Sequence, residues 1–419
     1  MPDADFADAV SQRRPTIIIM LLTVSKRLEF SSSRRLFVPR WSESENVAAF
    51  GEESRAEHGT GRNYVAYFIF SGRVDPVTGM LINISEIKRR AGEIVDNQFD
   101  HKFLNEDNPA FRDVVPTAEN IAGQFFADVA ALFSDSDAKL VAVHLIETPD
   151  RSATFYAGDT CEANYWFEFS AARQTMSPRL TAAENAQLFG AASAIHGHNY
   201  RARVTFRKQK ADGPLVPQQE VDLCLKSLRA EFDHRYLNEL PSLKERPITT
   251  ESLAAYIREQ IAASLPIHRL RLHEREDFFA EAWPEQNIFL GLQTRFSAAH
   301  RLHVQSFSDQ KNQELFGKCD NPRGHGHLYL AEATIGGTYD ERSGTLYDFA
   351  VFQKALHESI APWQDRHLDL ETEDFGKISS TGENIVRALW SKVNSRVNRQ
   401  LMRLRLWETK NNRFTLRRT

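Results

Sequence analysis

A chain of 419 residues with 42% hydrophobic and 26% charged residues has the balance of a soluble globular protein and room for about two to four domains. A formal net charge of -4 argues against a nucleic-acid-binding surface, and no apolar run reaches the ~20 residues that span a bilayer, so neither nucleic acid nor membrane is expected as a partner. Three scattered cysteines, Cys161, Cys224 and Cys319, form no even framework, which predicts free thiols in a reducing, cytoplasmic compartment. The opening Pro2, Asp3, Asp5 and Asp8 lacks the basic start of a signal peptide, and Ile17 to Leu22 reads as a strand.

Four landmarks then recur three times in the same order. The first is an apolar segment ending in Phe-Ser: Phe30-Ser31, Phe169-Ser170 and Phe296-Ser297. The second is Phe-Gly, a loop, and a strand start X-Gly-X-X-Tyr: Phe50-Gly51 with Thr60 to Tyr64, Phe189-Gly190 with His196 to Tyr200, Phe316-Gly317 with His325 to Tyr329. The third closes a helix: Phe99-Asp100-His101, Phe232-Asp233-His234 and, matched without gaps, Trp363-Gln364-Asp365. The fourth is Thr-x-Glu before a second helix (Thr117 and Glu119, Thr249 and Glu251, Thr381 and Glu383), followed by a strand ending in Glu147, Glu274 or Glu408.

The units fall at 16–158, 162–283 and 287–419 with short joints. Each reads as strand, strand, helix, helix, strand, strand. Alternation over Tyr329–Ile335 predicts a half-buried strand. Helical spacing of Phe349, Phe352, Leu356 and Ile360, and of Ile385, Leu389 and Val393, predicts two amphipathic helices. Asp75–Gly79 and Asp340–Gly344 are turn sequences. The fold class is α+β: antiparallel sheets of four strands with two helices each, whose open edges would vanish if the units closed into one barrel.

The chemistry concentrates in the third unit. His325 and His327 alternate on a strand and so face one side, and His300 ends the neighbouring Phe-Ser segment. Three imidazoles with an open position describe a catalytic zinc site, and Cys319 in the loop between them could move protons. His303, just beyond the strand, reads as a surface residue, and Cys161 and Cys224 as ordinary small apolar residues. Asp100-His101 and Asp233-His234 could be helix-end caps, and Glu408 a solvated charge.

Together the landmarks resemble the 6-pyruvoyl-tetrahydropterin synthase / 6-carboxy-tetrahydropterin synthase family of the tunnelling fold. The resemblance covers nearly the whole chain three times and is most specific at Phe316 to His327. It implies three tandem tunnelling-fold units forming a pseudo-threefold β-barrel, with two chains stacking as a homodimer. It implies zinc held by His300, His325 and His327, with Cys319 as base and an Asp-His pair supporting proton transfer. Glu408 would anchor the pterin and join the relay, and Thr381, Glu383, Glu147 and Glu274 are further candidates for substrate binding. The implied reaction is triphosphate elimination from 7,8-dihydroneopterin triphosphate, giving a pyruvoyl or carboxy product.

The copies are unequally preserved. The first has Ser33-Arg34-Arg35 in place of the strand histidine and Thr60-Gly61-Arg62 in place of His-Gly-His. The second keeps His196 and His198 but has Arg173, which cannot ligate zinc. The third keeps every ligand and the thiol but has lost Asp-His, with His367 only nearby. One working site per chain follows, with Asp233-His234 or Asp100-His101 lent across a seam of the same chain. A second reading, from the decayed copies, is a non-catalytic pterin-binding or assembly protein.

Overall fold

The chain runs as one antiparallel meander that closes on itself. The computed structural model describes residues 20–209 and 214–419. The acidic opening and the Ile17–Ile19 part of the expected first strand lie outside them. The first unit supplies β1 (Met20–Arg34), β2 (Thr60–Ser71), β3 (Lys139–Thr148) and β4 (Arg151–Tyr156). The second supplies β5 (Thr160–Arg173), β6 (His196–Gln209), β7 (Ile267–Arg275) and β8 (Phe278–Ala282). The third supplies β9 (Asn287–His300), β10 (His325–Thr338), β11 (Leu401–Thr409) and β12 (Asn412–Arg418). Units join through β4–β5 and β8–β9, and Met20–Lys26 of β1 pairs with Asn412–Arg418 of β12. This is the expected pseudo-threefold barrel, without open edges among its long strands.

The two faces of the sheet differ. Leu404 and Leu406 of β11 are buried in the core, whereas Arg403 and Arg405 line a central cavity of about 190 Å³. Guanidinium–carboxylate pairs neutralise part of this interior: Arg269 holds Glu162 through bonds of 2.5 and 2.7 Å, and Arg405 holds Glu332 at 2.9 Å.

Two principal helices per unit cover the outer face: α1 (Ile84–Ile94) and α2 (Ala118–Leu132), α3 (Gln218–Phe232) and α4 (Thr250–Ala262), α5 (Phe349–Ile360) and α6 (Gly382–Arg396). Phe352, Leu356, Ile385, Leu389 and Val393 are buried, as their spacing predicts. A short helix per unit goes beyond the sequence reading: Glu43–Phe50, Ala182–Phe189 and Asp309–Phe316. Capping boxes at Ser42/Glu45 and Thr181/Glu184 start the first two, a signal visible in sequence. Gly51, Gly190 and Gly317 end the three with positive φ, which suits a residue without Cβ.

The helix caps Thr117, Thr249 and Thr381 also mark the seams. Thr381 Oγ1 donates to the Gly79 carbonyl (2.7 Å) and Leu81 N donates to Glu383 Oε1 (2.8 Å), clasping a first-unit loop onto the third unit. Thr249 Oγ1 to Gly344 O (2.5 Å) and Leu346 N to Glu251 Oε1 (3.2 Å) repeat the clasp between third and second units. At the remaining seam Glu119 accepts from the Leu215 backbone. The turns read from sequence are therefore inter-unit latches, and Thr-x-Glu is their receptor.

Candidate active site

The zipper of β9 against β10 assembles the three histidines. His300 lies opposite His325, and Ala298 opposite His327, so all three rings gather at one end of the hairpin. Their ring centroids are 4.5 Å (His300–His325), 5.2 Å (His300–His327) and 4.9 Å (His325–His327) apart. His300 Nδ1 sits 3.0 Å from the Ser380 carbonyl. That bond makes Nδ1 the donor and leaves the Nε2 lone pair facing its neighbours. His300 Nε2, His325 Nδ1 and His327 Nε2 are all buried and without a hydrogen-bond partner. The group's ligand atoms lie within 4.8 Å of one another. Burial, with the neighbouring imidazoles adding, holds His325 down to about 4, and burial also lowers His327. Imidazole nitrogens without hydrogen-bond partners, converging in a buried place, are what a borderline-soft divalent cation such as zinc requires, so these residues fit the metal that the sequence implies.

Glu408 completes the ring. Its Oε1 lies 3.7 Å from His300 Nε2 and 3.8 Å from His327 Nε2, and its Oε2 accepts from Asn412 (3.0 Å). The β11–β12 register slips between Trp407 and Thr409, leaving Glu408 as the extra residue of a β-bulge. A bulge re-aims a side chain beside a site. Glu147 and Glu274 lie at the same slip in their own hairpins. Glu408 is therefore not the solvated charge that alternation with Arg403 and Arg405 alone would allow.

Cys319 lies on the turn Gly317–Asp320 and is half-buried. Burial first, then the charge of Glu408, push its thiol up, so it holds its proton in this setting. The turn is anchored by buried Asp320, which accepts from Arg301 Nε (2.9 Å) and His303 Nδ1 (2.8 Å). His303 is thus a clamp on the cysteine loop rather than a free surface residue. Buried Tyr329 lies beneath, edge-on to His327 at 5.5 Å and stacked on Phe296 at 4.9 Å. Glu383 is buried too; desolvation, with Glu408 adding, pushes its carboxyl up to about 7.

The Asp-His pairs lie elsewhere. Asp100 Oδ1 accepts from Ser31 N (2.8 Å) and Asp233 Oδ1 from Ser170 N (2.9 Å), each within its own unit. Their histidine side chains are 83% and 82% exposed, so both pairs face outward. Among the described residues no hydrogen bond or ion pair links either pair to Cys319. In the third unit Gln364 and Asp365 take the equivalent places: Ser297 N donates to Gln364 Oε1 (3.3 Å), and Asp365 shares the left-handed φ of His101 and His234. The ungapped match is the register adopted. His367 packs instead against Gly324, where a Cβ would come within 2.5 Å of its Nε2.

The other units replace the metal-ready ring with arginine. Arg34 occupies the His300 place in the first and is fully engaged: Nε and Nη2 on Glu147, Nη1 on Thr60 (2.9 Å), and Nη2 also on Glu53 (3.1 Å). Glu147 is thereby tied up as a counter-ion rather than offered to a ligand. In the second, Arg173 Nη2 donates to Glu274 (2.5 Å) and Thr250 (3.2 Å), and His198 Nε2 lies 3.0 Å from Glu274. Burial would raise Glu274, but Arg173 and His198 outweigh it and hold the carboxyl at about 2. His196, His198 and Glu274 form the other group of metal-like geometry among the described residues, with a guanidinium where a third imidazole would be.

A profile of the 6-pyruvoyl tetrahydropterin synthase family matches residues 23–158, 163–285 and 290–419. A putative 6-pyruvoyl tetrahydrobiopterin synthase from Caenorhabditis elegans is 38% identical over 122 residues, 29% of this chain and 87% of that protein. The human 6-pyruvoyl tetrahydrobiopterin synthase is 36% identical over 119 residues, 28% of this chain and 82% of its own length. A putative 6-carboxy-5,6,7,8-tetrahydropterin synthase from Archaeoglobus fulgidus is 30% identical over 89 residues, 21% of this chain and 74% of that protein. The solved structure of the Caenorhabditis elegans 6-pyruvoyl tetrahydropterin synthase aligns with 36% identity over 31% of this chain and 94% of that one, at a TM-score of 0.30. No described helix is long and apolar enough to cross a membrane.

Proposed function

The chain belongs to the 6-pyruvoyl tetrahydropterin synthase family, and from that premise we propose that it is a zinc-dependent carbon–oxygen lyase acting on 7,8-dihydroneopterin triphosphate at the seam between its third and first units. The observation that carries the proposal is the trio of buried, unpartnered imidazole nitrogens of His300, His325 and His327 beside Cys319. Zinc, when bound, supplies a positive charge that polarises the oxygens of the substrate side chain.

The chain's own residues divide the remaining work. Glu383, with Thr381 and the Gly79–Leu81 latch, forms a buried acceptor lip for the donor edge of the pterin ring. Its near-neutral carboxyl accepts ring N–H groups when ionised and donates when protonated. Cys319 moves the proton of the side-chain carbon; its raised thiol makes it a proton donor at rest and a base once a cation or ligand offsets Glu408. Glu408 spans His300 and His327 and steadies the charge that forms among them. A proton shift from the side-chain carbon next to the ring reduces the ring C=N bond as that carbon's hydroxyl becomes a ketone, and loss of the next carbon's proton then breaks the carbon–oxygen bond to triphosphate, leaving a 6-substituted tetrahydropterin. The exposed Asp100-His101 and Asp233-His234 pairs suit donation to a second chain, which supports a homodimer in which one barrel completes the relay of the other.

Incubating the zinc-loaded chain with 7,8-dihydroneopterin triphosphate, with chromatography of products, tests the reading. Triphosphate release with a pyruvoyl or carboxy tetrahydropterin is the expected result, at one zinc per chain. Zinc-loaded protein that binds the substrate without releasing triphosphate would replace it with the non-catalytic pterin-binding reading. Three zincs per chain would sink the single-site assignment.

A further inference from the structure

We propose that the seam between the second and third units is a metal-free binding site for a planar heterocycle with N–H donors along one edge and a carboxylate or phosphate on its opposite side. A cavity of about 460 Å³ opens there, the size of a small-molecule pocket. Arg173, Thr250, Glu251 and Glu274 of the second unit form its polar wall, and Tyr347 and Phe349 of the third unit lie across from them. Phe278 meets Phe349 edge-on at 4.8 Å and adds an apolar surface against which a flat ring can rest.

Arg173 ends β5 opposite His196, as His300 ends β9 opposite His325. A fixed cation therefore stands where the third unit gathers imidazoles. Such a position selects an anionic substituent in place of a metal. Arg173 is 3% exposed, and its Nε and Nη1 have no hydrogen-bond partner. Buried donors left unmade are costly, and an anion would satisfy them. Glu251 is buried on the same wall and accepts from the Leu346 backbone, as Glu383 accepts from Leu81. Burial pushes its carboxyl up to about 7, which suits a ring edge that both donates and accepts.

The first–second seam shows that arginine alone does not make such a site. Two residues after the helix-ending glycine, the first unit has Glu53, the second Ala192 and the third Cys319. Glu53 supplies the second carboxylate that saturates Arg34, and the space beside Glu119 and Glu147 shrinks to about 50 Å³. With Ala192 in that place, Arg173 keeps unmet donors and the cavity stays open.

Titration calorimetry of the zinc-loaded full chain with pterin-6-carboxylate tests the site, which is independent of turnover at the third unit. Two equivalents per chain are expected. Arg173→Gln should remove one and leave zinc content unchanged, and unsubstituted pterin should bind that site about tenfold more weakly or worse. Ala192→Trp should block the same equivalent by bulk, which covers a folding failure of Arg173→Gln. Glu383→Gln should remove the other. Binding left intact by both cavity variants overturns the inference, and if Glu383→Gln abolishes that binding, the proposed function stands. A single equivalent abolished by the cavity variants but not by Glu383→Gln supports this site and counts against the third-unit seam.

Discussion

The ends of β9 and β5 sit at equivalent places in the barrel, follow the same Phe-Ser landmark and face the same His-Gly-His strand start, yet they hold opposite kinds of centre. Around His300 one nitrogen of each imidazole is buried and without a hydrogen-bond partner, and the Glu408 carboxylate stands 3.7 Å off. Around Arg173 the carboxylate is already taken at 2.5 Å, and the retained His198 turns to Glu274 rather than to a vacant ring of donors. One side chain at the strand end thus decides whether the glutamate on the bulge borders a trio of imidazoles or serves as a counter-ion. Two of the three histidine positions survive in the second unit without making a centre of the third unit's kind.

The largest effect that could break this contrast is His325→Ala. It should reduce bound zinc to near zero by metal analysis and lower triphosphate release to background; stoichiometric zinc in the variant would mean that the trio is not the metal centre. Cys319→Ala should keep its zinc and lose about 10²–10⁴-fold in turnover, the range of a lost general acid–base. Unchanged turnover would remove the thiol from the mechanism.

Arg173→Met addresses the other centre. Breaking a buried pair strands Glu274, which should cost about 3–5 kcal/mol in urea unfolding. The pH dependence has a definite sign. The folded carboxyl of Glu274 lies at about 2, below its ordinary 4.5, so its contribution is present above pH 4.5 and fades as pH falls towards 2. The difference between parent and variant should shrink over that window. A constant difference would assign the loss to packing rather than charge. The smallest change is a gain: Arg173→His should rebuild a three-imidazole set with His196 and His198 and raise zinc from one towards two per chain. No gain would show that the Glu274 environment, not the missing imidazole, excludes the metal.

Much of this was legible in the sequence because repeats compare like with like. Alternate residues of a strand share a face, so His325 and His327 could be placed together before any contact was known, and His300 followed from the matching segment. The ungapped register of Gln364 and Asp365 also survives folding, down to the left-handed residue. The Phe-Gly landmark marks only where the short helices end; their starts are written in the capping boxes Ser42/Glu45 and Thr181/Glu184.

Sequence by itself determined the threefold repeat, the closed α+β barrel and which unit keeps all three histidines, because these follow from local periodicity and from residue types at fixed spacing. Only the tertiary structure decided which groups meet across distance: the Ser380 carbonyl that orients His300, the bulge that turns Glu408, and the first-unit loop latched onto Thr381 and Glu383. It also turned Asp100-His101 and Asp233-His234 outward and left Arg173 half-satisfied where Arg34 is saturated. Those outcomes depend on strand register and on which neighbouring unit fills a gap, which no spacing within one segment encodes.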